Sequence, residues 1–210
     1  MTTLCPEFHN LARSGTMHSF PFVPAHIPVN GIYVLFETGE EGHGGSRIVR
    51  VGTHTGDGQL RSRLKQHFVD ENKDRSIFRK NIGRALLNQR DDPFLAEWEV
   101  DFTSRAARER YGVEPDRGKL AALEGEVTKH LQGHFKFVVF RVDDKGDRLR
   151  LESRIISTVS LCDKCKPSAG WLGSSSPKER IRKSGLWLVN ELYKEPLTQA
   201  DLQMLGSLLA

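Results

Sequence analysis

Hydrophobic and polar positions along the chain predict a small sheet surrounded by helices. Residues 31–37 (GIYVLFE) and 47–53 (RIVRVGT) are rich in β-branched and aromatic residues, as strands are. The glycine-rich residues 39–46 lie between them and predict an antiparallel hairpin with a long loop. Residues 135–142 (FKFVVFRV) give the strongest strand pattern of the chain. The sequence therefore predicts a hairpin and one further strand from these three segments.

Apolar residues at helical spacing predict the other elements. In residues 1–29, prolines interrupt the apolar positions, which predicts an irregular, extended lead-in. Residues 97–102 alternate and are compatible with a further strand. The predicted helices cover residues 59–69, 76–88, 119–132, 148–161 and a last segment from residue 198.

Composition places the chain among globular proteins. It has 210 residues, of which 38% are hydrophobic and 28% charged. No apolar run approaches the roughly 20 residues of a membrane-spanning helix, and residues 1–20 lack the apolar stretch of a secretion signal. We therefore expect a cytoplasmic protein with no membrane partner.

The charge distribution is uneven and favours a nucleic-acid partner. Residues 58–90 contain nine Lys or Arg against three Asp or Glu, and residues 164–183 contain six against one. Residues 91–126, in contrast, contain five basic against ten acidic residues. Two basic segments around an acidic one could form a phosphate-binding face, although basic residues also solvate ordinary helix surfaces.

Three cysteines are too few for a disulfide framework. Cys162 and Cys165 have the spacing of a zinc-binding pair, but a structural zinc site needs four ligands. The sequence shows no second cysteine pair, and no histidine follows Cys165. We therefore interpret Cys162 and Cys165 as two reduced thiols near a helix end.

Glu152 is in an unusual place for a carboxylate. On a helical wheel with Leu151 as the origin, Glu152 falls at about 100°, among the apolar residues of the predicted helix. A buried, unpaired charge is costly, so Glu152 needs a metal ion or a buried arginine, unless it merely stabilises the first turn of its helix.

Three further residues have chemistry that suits a site. Arg63 and His67 lie four residues apart at the border of an apolar helix face. At this position Arg63 could bind a phosphate and His67 could transfer a proton. Tyr33 lies in the first strand. Each residue is also compatible with an ordinary core or surface role.

The order of these features resembles the GIY-YIG nuclease superfamily, whose members cut phosphodiester bonds with a divalent metal. Residues 31–33 (GIY) lie in a first strand, and residues 50–52 (RVG) end a second one. Arg63 lies in the next helix, and Glu152 in a later helix that follows a strand. The resemblance covers residues 31–68 and 135–160.

The resemblance implies a role for each matching residue. Tyr33 corresponds to the tyrosine of the first motif, Arg63 to the arginine that contacts the scissile phosphate, and Glu152 to the ligand of Mg²⁺ (or Mn²⁺). His67 stands where some restriction endonucleases of this superfamily have a histidine, and Asn190 matches a later phosphate-contacting asparagine. Either Tyr33 or His67 would be the general base.

The sequence departs from the superfamily in two places. Arg50 replaces the tyrosine of the second motif, and residues 70–133 form a long insertion. The implied fold is α+β, a small three-stranded antiparallel sheet flanked by helices. The implied organisation is an extended lead-in over residues 1–30, a nuclease domain over residues 31–161, and a C-terminal extension over residues 162–210 packed on that domain.

The resemblance implies a metal-dependent endonuclease that acts on DNA, with RNA left open. A restriction-like role would favour a homodimer. Basic residues expected to contact phosphates without sequence preference are Arg50, Lys65, Arg75, Arg79 and Lys80.

Two alternatives remain. A non-catalytic nucleic-acid-binding module would keep the basic residues, and an interaction domain would pair Glu152 with Arg63 inside the protein.

Overall fold

A computed structural model describes residues 4–103, 106, 109–110, 112 and 115–209. Its sheet contains four antiparallel strands in the order β1-β4-β2-β3. The strands are β1 (His18–Ser19), β2 (Ile32–Glu41), β3 (Ser46–Gly52) and β4 (Phe135–Phe140). The predicted α+β class is confirmed, and the strand count is corrected from three to four. The additional strand β1 has two residues, too few to produce a recognisable alternation.

The helices surround this sheet. Two 3₁₀ turns, Pro24–His26 and Leu172–Ser175, complete the regular structure of the described residues. The helices of the described residues are α1 (Cys5–Ser14), α2 (Leu60–Phe68), α3 (Ile77–Gln89), α4 (Leu95–Trp98), α5 (Arg117–His134), α6 (Lys145–Ser160), α7 (Glu179–Ser184) and α8 (Gln199–Ser207).

The two faces of the sheet belong to two separate clusters of buried apolar residues. Because side chains alternate along a strand, Tyr33 and Leu35 point to one face and Ile32 and Val34 to the other. The first face packs against α2, α3 and α5, and the second against α1, α6 and α8. The protein therefore has a core on each side of the sheet.

The N-terminal segment differs from the prediction. Residues 5–14 form α1, with Pro6 in its first turn, and bury Cys5, Phe8 and Ala12. These residues have helical spacing, but the prolines further along dominated the sequence interpretation. The extended lead-in is therefore replaced, over this stretch, by a helix that belongs to the core.

The further strand considered for residues 97–102 is also absent from the structure. This region contains α4, and the Trp98 indole packs closely against Gly83 of α3 and donates a hydrogen bond to the Lys80 carbonyl (2.9 Å). The alternation of Trp98, Val100 and Phe102 resembles a strand in sequence. The burial of Trp98 against α3 instead favours a short helix at this position.

The C-terminal segment covers the outer edge of β3. The backbone amide of Trp187 donates to the Val49 carbonyl (2.8 Å), and Arg47 donates to the Gly185 carbonyl (2.6 Å). The indoles of Trp171 and Trp187 both donate to Glu37 Oε2, at 2.8 and 2.9 Å. These contacts position β3, which carries part of the candidate site.

Candidate active site

A chain of hydrogen bonds links Tyr33, His67 and Ser76. The Tyr33 hydroxyl lies 2.7 Å from His67 Nε2, and His67 Nδ1 lies 2.7 Å from Ser76 Oγ. Ser76 caps α3, since its Oγ accepts the Arg79 amide (3.3 Å). All three side chains are buried. The structure thus brings two of the predicted catalytic residues, Tyr33 and His67, into direct contact.

The surroundings of His67 keep its imidazole neutral. Burial lowers the pKa of His67 well below its usual 6.5, and the charges of Arg50, Arg63 and Arg79 lower it further. A neutral imidazole has one nitrogen that donates and one that accepts. If Nδ1 donates to Ser76, Nε2 accepts the Tyr33 proton, which suits a proton-transfer pair.

The glycine of the second motif is required by the position of Tyr33. Gly52 faces Tyr33 across the β2–β3 pair, and a Cβ atom at residue 52 would overlap the Tyr33 hydroxyl. Gly31 has a similar constraint, because its Cβ would overlap the Phe140 carbonyl oxygen. The sequence interpretation assigned no role to these glycines or to Ser76, although a serine at the start of a predicted helix is a typical N-cap signal.

Arg63 lies on α2 at the border of an open pocket of about 290 Å³. Its Nη1 donates to Gln66 Oε1 and to the Arg75 carbonyl, both at 3.0 Å. Among the described residues, its Nε and Nη2 have no hydrogen-bond partner, so they remain available to an anion. The pocket lining comprises Thr53, His54, Thr55, Gln59, Ser62, Arg63 and Gln66.

Glu152 is a half-buried residue of α6, and its carboxylate lacks a close cation among the residues that the structure describes. Burial raises the pKa of Glu152 to about 7. The charges of Arg50 and Arg63 and a hydrogen bond from the Thr53 backbone oppose this rise, and Glu191 adds to it. Thr53 also lines the pocket beside Arg63. Among the described ion pairs none includes Glu152, so the pairing with Arg63 required by the interaction-domain alternative is not formed.

Arg50 differs from its predicted role as a surface phosphate contact. It is buried, donates to the Trp187 carbonyl, and lies over the Phe78 ring with 4.7 Å between its Cζ and the ring centroid. Its buried Nε has no hydrogen-bond partner in the part of the chain that the structure describes. Because its charge acts on both His67 and Glu152, Arg50 is an interior cation of the site.

The other predicted phosphate contacts divide into two groups. Lys65 and Arg75 are exposed, as a nucleic-acid contact requires. Arg79 and Lys80 are buried, which corrects their predicted role: Arg79 binds Glu124, and Lys80 donates to the Glu99 carbonyl (2.8 Å). Both lie on α3 and bind other parts of the insertion, so their charges are neutralised or hydrogen-bonded inside the protein.

Asn190 lies apart from the pocket, in an exposed loop that borders α6. Its neighbour Glu191 accepts a hydrogen bond from Ser153 Oγ (2.6 Å), directly after Glu152 in the chain. Glu191 and Tyr193 have φ angles of 61° and 59°, in the left-handed region that non-glycine residues rarely adopt. The loop is therefore connected to the Glu152 turn, but none of the hydrogen bonds among the described residues joins Asn190 to another predicted site residue.

A family model for the GIY-YIG domain matches residues 10–210, and the chain belongs to this family. The family consists generally of endonucleases that use divalent metals, so a nuclease-type function and a nucleic-acid substrate follow at that level. Neither the curated proteins nor the solved structures contain a match. Within the described part of the chain, no helix has the length and apolar composition needed to cross a membrane.

Proposed function

We propose that this chain is a metal-dependent endonuclease that hydrolyses phosphodiester bonds of DNA. The observation that supports this most strongly is that Arg50 and Arg63 act electrostatically on both His67, which is hydrogen-bonded to Tyr33, and Glu152. A phosphate beside these cations would lie between a proton-transfer pair and a carboxylate. Phosphodiester hydrolysis needs these components.

The chemistry of Glu152 fits a hard divalent cation. Its carboxylate is partly desolvated and has no cation within ion-pair distance among the described residues, and its raised pKa reports that deficit. Mg²⁺ is commonly bound by one or two carboxylates together with substrate phosphate and water. Glu152 would therefore hold Mg²⁺ (or Mn²⁺), which would neutralise charge on the phosphate.

Arg63 and the Tyr33–His67 pair would perform the remaining chemistry. The free Nε and Nη2 of Arg63 would donate to the phosphate oxygens as negative charge grows on them. Tyr33 would exchange a proton with the reacting oxygen, while His67 exchanges one with Tyr33. Both nitrogens of His67 already have partners, so Tyr33 is the better candidate for contact with water. Because Tyr33 is buried, this role requires substrate binding to expose its hydroxyl.

Exposed basic residues would hold the nucleic acid. Lys65 and Arg75 lie on the α2 side of the pocket, and we retain them as contacts without sequence preference. Asn190 stays a proposed phosphate contact from the loop beside α6. The homodimer, the preference for DNA over RNA and the cytoplasmic location remain predictions.

A plasmid-nicking assay tests this function directly. Purified protein is incubated with supercoiled DNA in Mg²⁺, Mn²⁺ or EDTA, and the same series is run on single- and double-stranded RNA. We expect metal-dependent nicking that falls at least about 100-fold in Glu152→Gln and in Arg63→Ala. Arg141→Ala is a matched control, because Arg141 is exposed and pairs only with Asp143 among the described residues.

One observation favours the alternative of a non-catalytic nucleic-acid-binding module. Arg50 occupies the position of the second motif's tyrosine and is used inside the protein. A gel shift on DNA without cleavage of any substrate, under all metal conditions, would establish this alternative. Cleavage that persists in Glu152→Gln would contradict the proposed metal ligand.

A further inference from the structure

A second cluster of chemically reactive side chains lies on the opposite side of the sheet from Tyr33. It comprises Cys5 and His9 of α1, His43 of the β2–β3 hairpin and Cys165, which follows α6. One donor atom from each residue lies within 4.8 Å of the others. Cys5 and Cys165 pack with Ile32 and the neighbouring residues of that face, whereas Tyr33 belongs to the core of the other face.

The distances that join the two sulfurs and His9 Nε2 suit ligands of one ion. Cys5 Sγ lies 3.4 Å from Cys165 Sγ, and Cys165 Sγ lies 3.7 Å from His9 Nε2. A tetrahedral zinc ion with bonds of about 2.3 Å to sulfur and about 2.0 Å to nitrogen separates its ligands by roughly 3.3–3.8 Å. Two sulfurs and two imidazoles are a donor set that selects Zn²⁺ over Mg²⁺.

The fold orients the His9 ring. Cys5 and His9 lie four residues apart on α1, and His9 Nδ1 lies 2.9 Å from the Cys5 carbonyl oxygen. A proton on Nδ1 would be donated to this oxygen and leave Nε2 as the basic nitrogen. Such a bond from the second ring nitrogen typically orients a metal-binding histidine. The amide of Ile48 donates to Nε2 (3.1 Å), so a bound ion would replace that hydrogen bond.

Arg13 fixes the loop that carries His43. Its Nη1 donates to the carbonyls of Gly42 (3.0 Å) and Ser46 (3.3 Å), and its Nη2 donates to the carbonyl of His43 (2.8 Å). His43 has a φ of 53°, in the left-handed region, and its ring meets the His9 ring edge-on at 4.8 Å. The same helix thus supplies two candidate ligands and holds the loop of a third.

The cluster is closed, as a structural metal site is. Cys5, His9 and Cys165 are buried, and His43 is half-buried. Cys165 is only 3% exposed, so a nucleophilic role toward an external substrate is excluded in this conformation.

We propose that Cys5, His9, His43 and Cys165 bind one structural Zn²⁺. The ion would link α1, the β2–β3 hairpin and the segment after α6, which are far apart in sequence. This explains why the Cys162-x-x-Cys165 spacing alone could not identify the site. Only Cys165 of that pair belongs to the set, and the fold supplies the other three ligands. The proposal is independent of the proposed nuclease function.

The test is the metal content of the full chain, purified after expression with added zinc and without chelators. Elemental analysis should find about one Zn²⁺ per chain, and Cys165→Ser and His43→Ala should each lose most of it. Cys162→Ser is the matched control: its Sγ lies 3.4 Å from His43 Nε2 but outside the four-residue set, so this variant should keep its zinc. Glu152→Gln should also keep it.

Two further measurements keep the test decisive if a cysteine variant folds poorly. Replacement of the ion by Co²⁺ in the wild-type chain should give the visible bands of a tetrahedral site and a sulfur-to-cobalt charge-transfer band. A zinc-selective chelator should lower the Tm of the wild type and leave that of His43→Ala unchanged.

Several outcomes would overturn the proposal. One is a chain that contains no zinc and takes up none. Another is an intact mass two hydrogens below that of the reduced chain, which would show a Cys5–Cys165 disulfide instead. A loss of zinc from Cys162→Ser equal to that from Cys165→Ser would reject the four-residue assignment.

Discussion

Glu124 and Glu152 both have carboxylates that are largely buried, but among the described residues only Glu124 forms an ion pair. Glu124 of α5 is 6% exposed, and its Oε2 accepts hydrogen bonds from Arg79 Nε (2.9 Å) and Nη2 (2.7 Å). Glu152 of α6 has no cation within 4.0 Å among the described residues, and its pKa is raised to about 7. One charge is paired by its neighbours, and the other is only partly compensated by arginines at longer range.

This difference separates a structural role from a functional one. A buried pair such as Glu124–Arg79 connects α5 to α3, and its two charges neutralise each other. An ionised carboxylate without a close cation lowers the stability of the fold. A cation bound to Glu152 would therefore stabilise the folded protein. A perturbed pKa in a cleft is a physical indication of a functional site.

The largest expected effect concerns the paired carboxylate. Glu124→Gln should lower the free energy of unfolding by about 3 kcal/mol or more, because it leaves Arg79 buried and charged without its partner. Urea unfolding at pH 7 measures this. Glu126→Gln on the same helix is the control, since its pair with Arg90 is largely exposed and should cost less than about 1 kcal/mol. Equal losses in the two variants would contradict the comparison.

Glu152→Gln should raise the free energy of unfolding at pH 8, whereas Glu124→Gln lowers it. The pKa of Glu152 rises from about 4.5 in the unfolded chain to about 7 in the folded protein. The folded state therefore loses stability as pH rises through this range, by about 3 kcal/mol at pH 8. Glutamine carries no charge, so Glu152→Gln should be more stable than the wild type at pH 8 in EDTA, and the two should converge near pH 4.

Added Mg²⁺ sharpens this second prediction. Because a ligand that binds only the folded state raises its stability, Mg²⁺ should raise the Tm of the wild type and not that of Glu152→Gln. Glu195→Gln is the control, because Glu195 is an exposed partner of Arg154 and should behave as the wild type. A Glu152→Gln variant less stable than the wild type at pH 8 would contradict the absence of a close cation.

Sequence patterns predicted the parts of the fold that have a strong period. The hairpin, β4 and helices α2, α3, α5 and α6 lie where the apolar spacing indicated, with bounds that differ by a few residues. Helix α1 and strand β1 were missed: the first has few apolar positions next to several prolines, and the second is two residues long. The secondary structure of such segments is determined by tertiary packing and not by their local sequence pattern.

The sequence predicted which side chains have the chemistry of a site, but it did not predict which residues they contact. The position of Glu152 within an apolar face indicated a desolvated carboxylate, and its raised pKa agrees with this. Nothing in the sequence distinguished Arg79, whose charge is used by Glu124, from the exposed Arg75. The Cys165 and His9 contact joins residues 156 positions apart, a separation that no local spacing reveals.

A smaller effect is expected at the steric contact that positions Tyr33. Gly52→Ala should cost about 1–3 kcal/mol, because its Cβ overlaps the Tyr33 hydroxyl and forces that ring to move. Tyr33→Ala removes the hydroxyl and also the ring carbon Cζ that the added Cβ would overlap, so the double variant should lose less stability than the sum of the two single variants. Urea unfolding of all four proteins measures the coupling. Strict additivity would show that Gly52 and Tyr33 do not constrain each other.

The smallest expected effect is an acid sensitivity that originates at His67. Below pH 6.5 the His67 imidazole is protonated in the unfolded chain, whereas in the folded protein its lowered pKa keeps it neutral. The unfolded state therefore binds more protons, and the stability of the fold falls as pH falls. Between pH 7.5 and 5.5 this residue should therefore lower the stability of the fold, an effect that Glu152 cannot cause because its own effect has the opposite sign.

The measurement is the free energy of unfolding of the wild type and His67→Gln at both pH values, where the variant should lose less stability than the wild type on acidification. NMR gives an independent check if the variant is destabilised, since the His67 ring signal of the wild type should not titrate near pH 6.5. Equal pH dependence in both proteins, or a ring that titrates near pH 6.5, would show that His67 is not held neutral. The Tyr33–His67 pair would then lack the acceptor that its proposed proton transfer requires.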